Sequence, residues 1–208
     1  MDPAQPLREL NKTRDFFVGI DSDGCVFDTM EIKHKECFTP NFIKHFRLQA
    51  VSKYAREAWD FVNLYSKTRG INRWPALLRA LERLAERPEV QKRGVQFPYT
   101  EAVRAFVENG RFPLSNAGLK QYMAEKPGDE ALEVMNRWTI AVNDSVADLV
   151  EGVPPFPCVR ESLNRLSDHA DMIVVSQTPY EALKREWEEH GIDGLVQLIC
   201  GQEMGTKT

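Results

Sequence analysis

An α/β fold split by a long helical insertion is the class this sequence predicts, and three observations carry it. Phe16 to Ile20 is a short, continuously apolar run with β-branched and aromatic residues, the pattern of a strand buried on both faces. Beyond Val153 the chain alternates helical and strand patterns, as a parallel sheet with right-handed crossovers requires. Between these parts lie mainly apolar stripes of helical period.

Met1 to Arg14 carries two prolines and mixed charges and reads as a tail or a loosely docked turn. The strand Phe16–Ile20 follows. Met30 to Phe38 alternates apolar and basic residues, which suits an extended flap; Lys33, His34 and Lys35 read there as a solvated basic patch or as contacts to an anionic substrate. Thr39-Pro40 reads as an N-cap with proline in the first turn. Val51, Tyr54, Ala55, Ala58, Val62 and Tyr65 then recur at spacings of three and four. A second stripe holds Trp74, Leu77, Leu78, Leu81 and Leu84 and stops before Pro88. Thr100 and Gly110 bracket a third helix, Asn116 to Glu125 makes a fourth, and Leu132, Met135, Thr139, Val142, Val146 and Leu149 line a long fifth. The prolines of Val153–Pro157 break the pattern and mark a domain boundary. A helix from about Val159 to Leu166, a strand Met172–Ser176, a helix Tyr180–His190 and a strand Val196–Cys200 complete the chain. One domain, 1–29 with 154–208, is thus interrupted by a second, 30–153.

With 208 residues the chain can bury a sizeable core. A formal charge of -4 gives no basic footprint for nucleic acid. Its four cysteines show no C-x-x-C or zinc spacing and read as free thiols of a reducing compartment. No apolar run reaches the roughly 20 residues of a membrane span, and the N-terminus lacks a signal-peptide core, so a cytoplasmic location is expected.

The chemistry concentrates where the first strand ends. Asp21 and Asp23 share a face of extended chain, and two adjacent carboxylates favour a hard cation between them. Gly24 then permits a turn. The pair alone also reads as a solvated turn after a strand, and the metal-binding Asp-x-Asp of a sugar-nucleotide transferase is a further reading. Ser176, at the end of a later strand and ahead of Pro179, is a helix cap or an anion contact at a helix N-terminus.

With Gly24, Phe27, Asp28 and Thr29 included, DSDGCVFDT resembles the first motif of the haloacid dehalogenase superfamily, a hydrophobic strand followed by D-x-D-G-x-x-x-D-[TS]. The resemblance implies a Rossmannoid parallel sheet with a type 1 helical cap inserted at 30–153. It implies Asp21 as nucleophile, Asp23 as general acid/base, and Mg²⁺ held by Asp21 and the Asp23 carbonyl. An aspartate at position 23 suits phosphate esters rather than carbon–halogen bonds. Ser176, with Gln177 after it, is similar to the second motif, which grips the phosphoryl group, and Lys207 stands in the order of the family's charge-neutralising lysine. Arg69, Asn72 and Arg73, between two cap helices, resemble the substrate-specificity loop of the β-phosphoglucomutase-like branch; Asn72 as a plain helix cap with solvent-facing arginines is the other reading. The fourth motif, an acidic pair after another strand, does not occur; Asp144 and Asp148 fall on a helix as a solvated face. The resemblance therefore implies a chain short of two sheet strands, with weak Mg²⁺ binding and poor activity for residues 1–208. Its function is expected to be phosphomonoester hydrolysis on a small phosphorylated metabolite through an aspartyl-phosphate. A phosphomutase and a non-catalytic phosphate-binding module are the alternatives, and neither metabolite nor oligomeric state is specified.

Overall fold

The computed structural model describes residues 2–205. In chain order the elements are α1 (Gln5–Arg8), β1 (Phe16–Ile20), α2 (Met30–Ile32), α3 (Thr39–His45), α4 (Ser52–Asp60), α5 (Arg73–Ala85), α6 (Pro88–Gln91), α7 (Thr100–Val107), α8 (Asn116–Ala124), α9 (Glu130–Leu149), α10 (Val159–Ser167), β2 (Ala170–Val175), α11 (Tyr180–Glu189) and β3 (Leu198–Cys200). A π-helical stretch, Lys33–Phe38, joins α2 to α3, and another, Phe61–Tyr65, extends α4. The chain divides into two compact units, residues 1–30 with 150–208 and residues 31–149.

The first unit is α/β. Its sheet has the order β1-β2-β3, all parallel, with Ile20 paired to Val174 and Val174 in turn to Ile199. Parallel pairing needs crossover connections, and α11 supplies the one between β2 and β3. The core holds Ile20, Phe27, Met172, Val174, Trp187 and Ile192, with Phe27 edge-on to Trp187 at 6.0 Å. The expectation that Phe16–Ile20 is buried throughout is corrected: among the described residues β1 has a neighbour on one side only, and Phe16 and Phe17 are 68% and 60% exposed.

The N-terminal segment is docked rather than a tail. Asp171, buried at the start of β2, accepts the Thr13 amide at 2.7 Å, the Thr13 hydroxyl at 2.5 Å, the Arg14 amide at 3.1 Å and Gln197 Nε2 at 2.7 Å. These bonds hold the Asp171 carboxyl well below the usual carboxylate range, the Thr13 hydroxyl most of all.

The second unit is helical, built around Trp59, Trp74 and Trp138, whose rings meet edge to face at 5.6 Å (Trp74–Trp138) and 5.9 Å (Trp59–Trp138). All three are fully buried, so Trp138→Ala would cost on the order of 3–5 kcal/mol. Met30–Phe38 is not an extended flap. Met30, Lys33 and Cys37 are buried at spacings of three and four, with Phe38 beside them, which a helical turn satisfies and alternation does not. Nor is Thr39 an N-cap: the helical run continues through it. Pro40 has no N–H and would crowd a carbonyl one α-turn back. The wider π-turn relieves this, and both the Thr39 amide and its hydroxyl (2.7 Å) donate to the His34 carbonyl. The second π-turn shifts the phase after Asp60, so Val62 and Leu64 are buried and Tyr65, expected inside, is 60% exposed.

Candidate active site

β1 and β2 end side by side, and each hands its next residues to a loop at the same end of the sheet. Asp21 follows Ile20 directly; Ser176 follows Val175 directly; Ile20 pairs with Val174. The two expected phosphate-handling side chains thus leave adjacent strands, the carboxyl-end location where α/β sheets bind ligands.

The loop after β1 is tightly wound. The Ser22 carbonyl accepts from the amides of Cys25 (3.3 Å), Val26 (2.9 Å) and Phe27 (3.1 Å), while the Gly24 amide donates to Phe27 O at 2.8 Å. Gly24 has φ +74°, a left-handed conformation that a side chain would strain. Ser22 is fully buried and pins the loop to α11, its hydroxyl accepting from Trp187 Nε1 at 3.1 Å and donating to Glu186 at 3.3 Å. Asp21, which begins this loop, is exposed, and its Oδ1 accepts the Ser22 amide at 2.9 Å.

Asp23 is more enclosed. Thr29 Oγ1 donates to its Oδ1 at 2.5 Å and Thr178 Oγ1 to its Oδ2 at 2.8 Å. Both carboxylate oxygens are therefore engaged by neutral hydroxyls, one from its own loop and one from the turn after β2. Nothing in the sequence singles out Thr178, because a threonine two residues past a strand end is a common turn residue.

Ser176 is buried; its amide donates to Cys200 O at 3.0 Å and its Oγ accepts the Thr178 amide at 3.2 Å. Gln177 is half-buried. The α11 N-terminus was expected to present amides to an anion, but Tyr180 N–H donates to the Glu203 carboxylate at 3.0 Å. An acidic side chain of this protein already sits at that positive helix end. Gly201 makes the approach possible, since a Cβ there would lie 2.5 Å from Tyr180 N.

Lys207 lies outside the described residues. As for Mg²⁺, no group of three or more His, Cys, Asp or Glu side chains able to hold a metal exists among the described residues. Mg²⁺ is commonly held by one or two carboxylates plus water and substrate phosphate. Asp21 fits as one such carboxylate, and each Asp23 carboxylate oxygen already accepts a threonine hydroxyl.

The three expected specificity residues belong to the helical unit. Asn72 is the α5 N-cap, its Oδ1 accepting the Trp74 amide at 3.0 Å while its Nδ2 donates to Leu114 O at 2.8 Å, which is the capping role. Arg73 does not face solvent. It is half-buried, with Nη1 2.8 Å from both Thr139 Oγ1 and Asn143 Oδ1 and its guanidinium over the Phe38 ring at 5.2 Å. Burial pushes its pKa down to about 10, so it remains a cation at neutral pH. Arg69 is exposed, its Nη1 3.4 Å from Leu64 O. Asp144 and Asp148 are exposed on α9.

No helix among the described residues is long and apolar enough to cross a membrane. No family model, curated protein or solved structure matched this chain.

Proposed function

We propose that this protein is a Mg²⁺-dependent phosphomonoesterase of haloacid dehalogenase type, acting through an aspartyl-phosphate, with residues 31–149 as its cap. One observation supports this above the others. Asp21 and Asp23, inside a complete first motif, stand at the carboxyl end of a parallel strand whose hydrogen-bonded neighbour is followed directly by Ser176.

Asp21 is accessible and attacks phosphorus in line, displacing the substrate alkoxide and forming the acyl phosphate. This divides one difficult displacement into two easier ones. Asp23 delivers a proton to the departing oxygen, then removes one from the water that attacks the acyl phosphate and frees Asp21. Ser176, whose Oγ already accepts from Thr178, has its hydroxyl hydrogen to give to an equatorial phosphoryl oxygen. When bound on Asp21 and the Asp23 carbonyl, Mg²⁺ would supply charge neutralisation for the phosphoryl oxygens. Substrates are small phosphate monoesters.

Turnover of phosphate esters with Mg²⁺, and acid-stable trapping of phosphate on the protein, test this. Asp21→Asn is expected to abolish both. Turnover retained by that variant removes Asp21 as nucleophile and the proposal with it.

A further inference from the structure

Resting on that proposal, we infer that Thr178 is the positioning residue that sets Asp23 for proton transfer, coupling it to the phosphate-gripping end of β2. Thr178 is held on three sides. Its amide donates to Ser176 Oγ at 3.2 Å, its carbonyl accepts from the Gln202 amide at 3.1 Å, and its hydroxyl donates to Asp23 Oδ2 at 2.8 Å. The first two bonds fix its backbone on the β2–α11 turn. The third reaches across to the loop after β1, so the acid/base and the phosphate grip are tied through one residue.

The arrangement has two chemical consequences. A carboxylate oxygen has two lone pairs, and each Asp23 oxygen spends one on a threonine hydroxyl. The carboxylate is thereby fixed in plane, with the remaining lone pairs in set directions, and a proton carried there has a defined place from which to leave. Two hydroxyls on opposite oxygens oppose rotation about the Cβ–Cγ bond. Ser176 Oγ, by accepting the Thr178 amide, has its own hydrogen turned away from Thr178. A local turn explains the Ser176 contact by itself. It does not explain the hydroxyl donated to a carboxylate on another strand's loop.

Thr178→Val removes the hydroxyl at nearly constant volume and leaves the backbone contact to Ser176 in place; Thr178→Ser restores the donor. Two probe esters separate positioning from general damage. Glycerol 2-phosphate expels an alkoxide that needs a proton, whereas p-nitrophenyl phosphate expels a stable phenolate that does not. T178V is expected to lower kcat for glycerol 2-phosphate about 10- to 100-fold, part of what a positioned acid/base supplies, with KM within about twofold. The loss on p-nitrophenyl phosphate is expected to be smaller, T178S should regain most of the rate, and in an Asp23→Asn background T178V should cost nothing further. Unchanged kcat in T178V overturns the inference, as does an equal loss on both esters that persists when Asp23 is already asparagine. Should Asp21→Asn be inactive while T178V is normal, only this inference fails; should Asp21→Asn stay active, the phosphatase proposal fails beneath it.

Discussion

Ile20 and Val174 are paired in parallel register, and that single pairing brings Asp21 and Ser176 out of neighbouring strands at the same end of the sheet. A hydroxyl in this location is useful chemically only if it donates to charge that develops during the reaction. Removing one such donor commonly costs about 10²–10³ in kcat. Ser176→Ala is therefore expected to lower kcat by that order. Substrate affinity should change less, which a steady-state comparison of kcat and KM on one phosphate ester would read. A loss confined to KM would make Ser176 a binding contact only.

Asp171 works at the opposite end of β2. Its carboxyl is held below the ordinary carboxylate value by the Thr13 hydroxyl, then by the Thr13 and Arg14 amides and Gln197. A depressed folded-state pKa means that the unfolded chain binds the proton more readily, so acid favours unfolding. The stabilisation is complete above the unfolded value of about 3.9 and disappears as pH falls toward the folded one. Asp171→Asn puts an amide donor among donors. Its melting temperature is expected to fall below that of the parent at pH 7, with the gap closing between about pH 4 and pH 2. Thermal melts over that range check it, and a gap independent of pH would remove the carboxylate as its cause.

Arg73 separates two roles that the sequence could not. Its Nη1 serves Thr139 and Asn143 on α9 while the guanidinium plane lies on Phe38, so it joins α5 to α9 and to the π-turn before α3. Lysine cannot reproduce a planar fork stacked on a ring. Arg73→Lys is expected to cost up to about 1.5–3 kcal/mol, the range for hydrogen bonds to a charged group, in a denaturant titration. If Arg73 also meets substrate, KM rises as well; a stability loss with unchanged KM assigns it to the scaffold.

Period and punctuation made much of this fold legible. The stripes of α5, α7 and α9 (its last member, Leu149, excepted, being exposed), the proline break at Val153–Pro157 and the alternation after it are patterns that a single residue list displays. Where reading failed, the cause lay outside local pattern. The π-turn at Lys33–Phe38 accommodates Pro40 although nothing in the residue list marks it, and a one-residue phase shift hid Tyr65. At the site, Asp21, Asp23 and Ser176 stood out as chemistry at strand ends. Thr178 did not, because its importance comes from a bond to Asp23, 155 residues away in the chain. Glu203, which fills the α11 N-terminus through Tyr180, was invisible for the same reason.

Exposure on β1 has a consequence for solution behaviour. Phe16 and Phe17 are open on a strand whose outer side has no partner among the described residues, and the run Phe16–Ile20 carries no charge and no proline. Such an edge offers unpaired amides and carbonyls together with apolar surface, the combination that templates strand addition between chains. A charge at the edge disfavours that pairing, and because Phe17 is exposed, replacing it should change folding stability by no more than about 0.5 kcal/mol. Phe17→Lys is therefore expected to reduce concentration-dependent association, seen as a lower weight-average mass in sedimentation or light scattering, with an unchanged melting temperature. Association that persists undiminished in this variant would place the self-contact elsewhere than at the β1 edge.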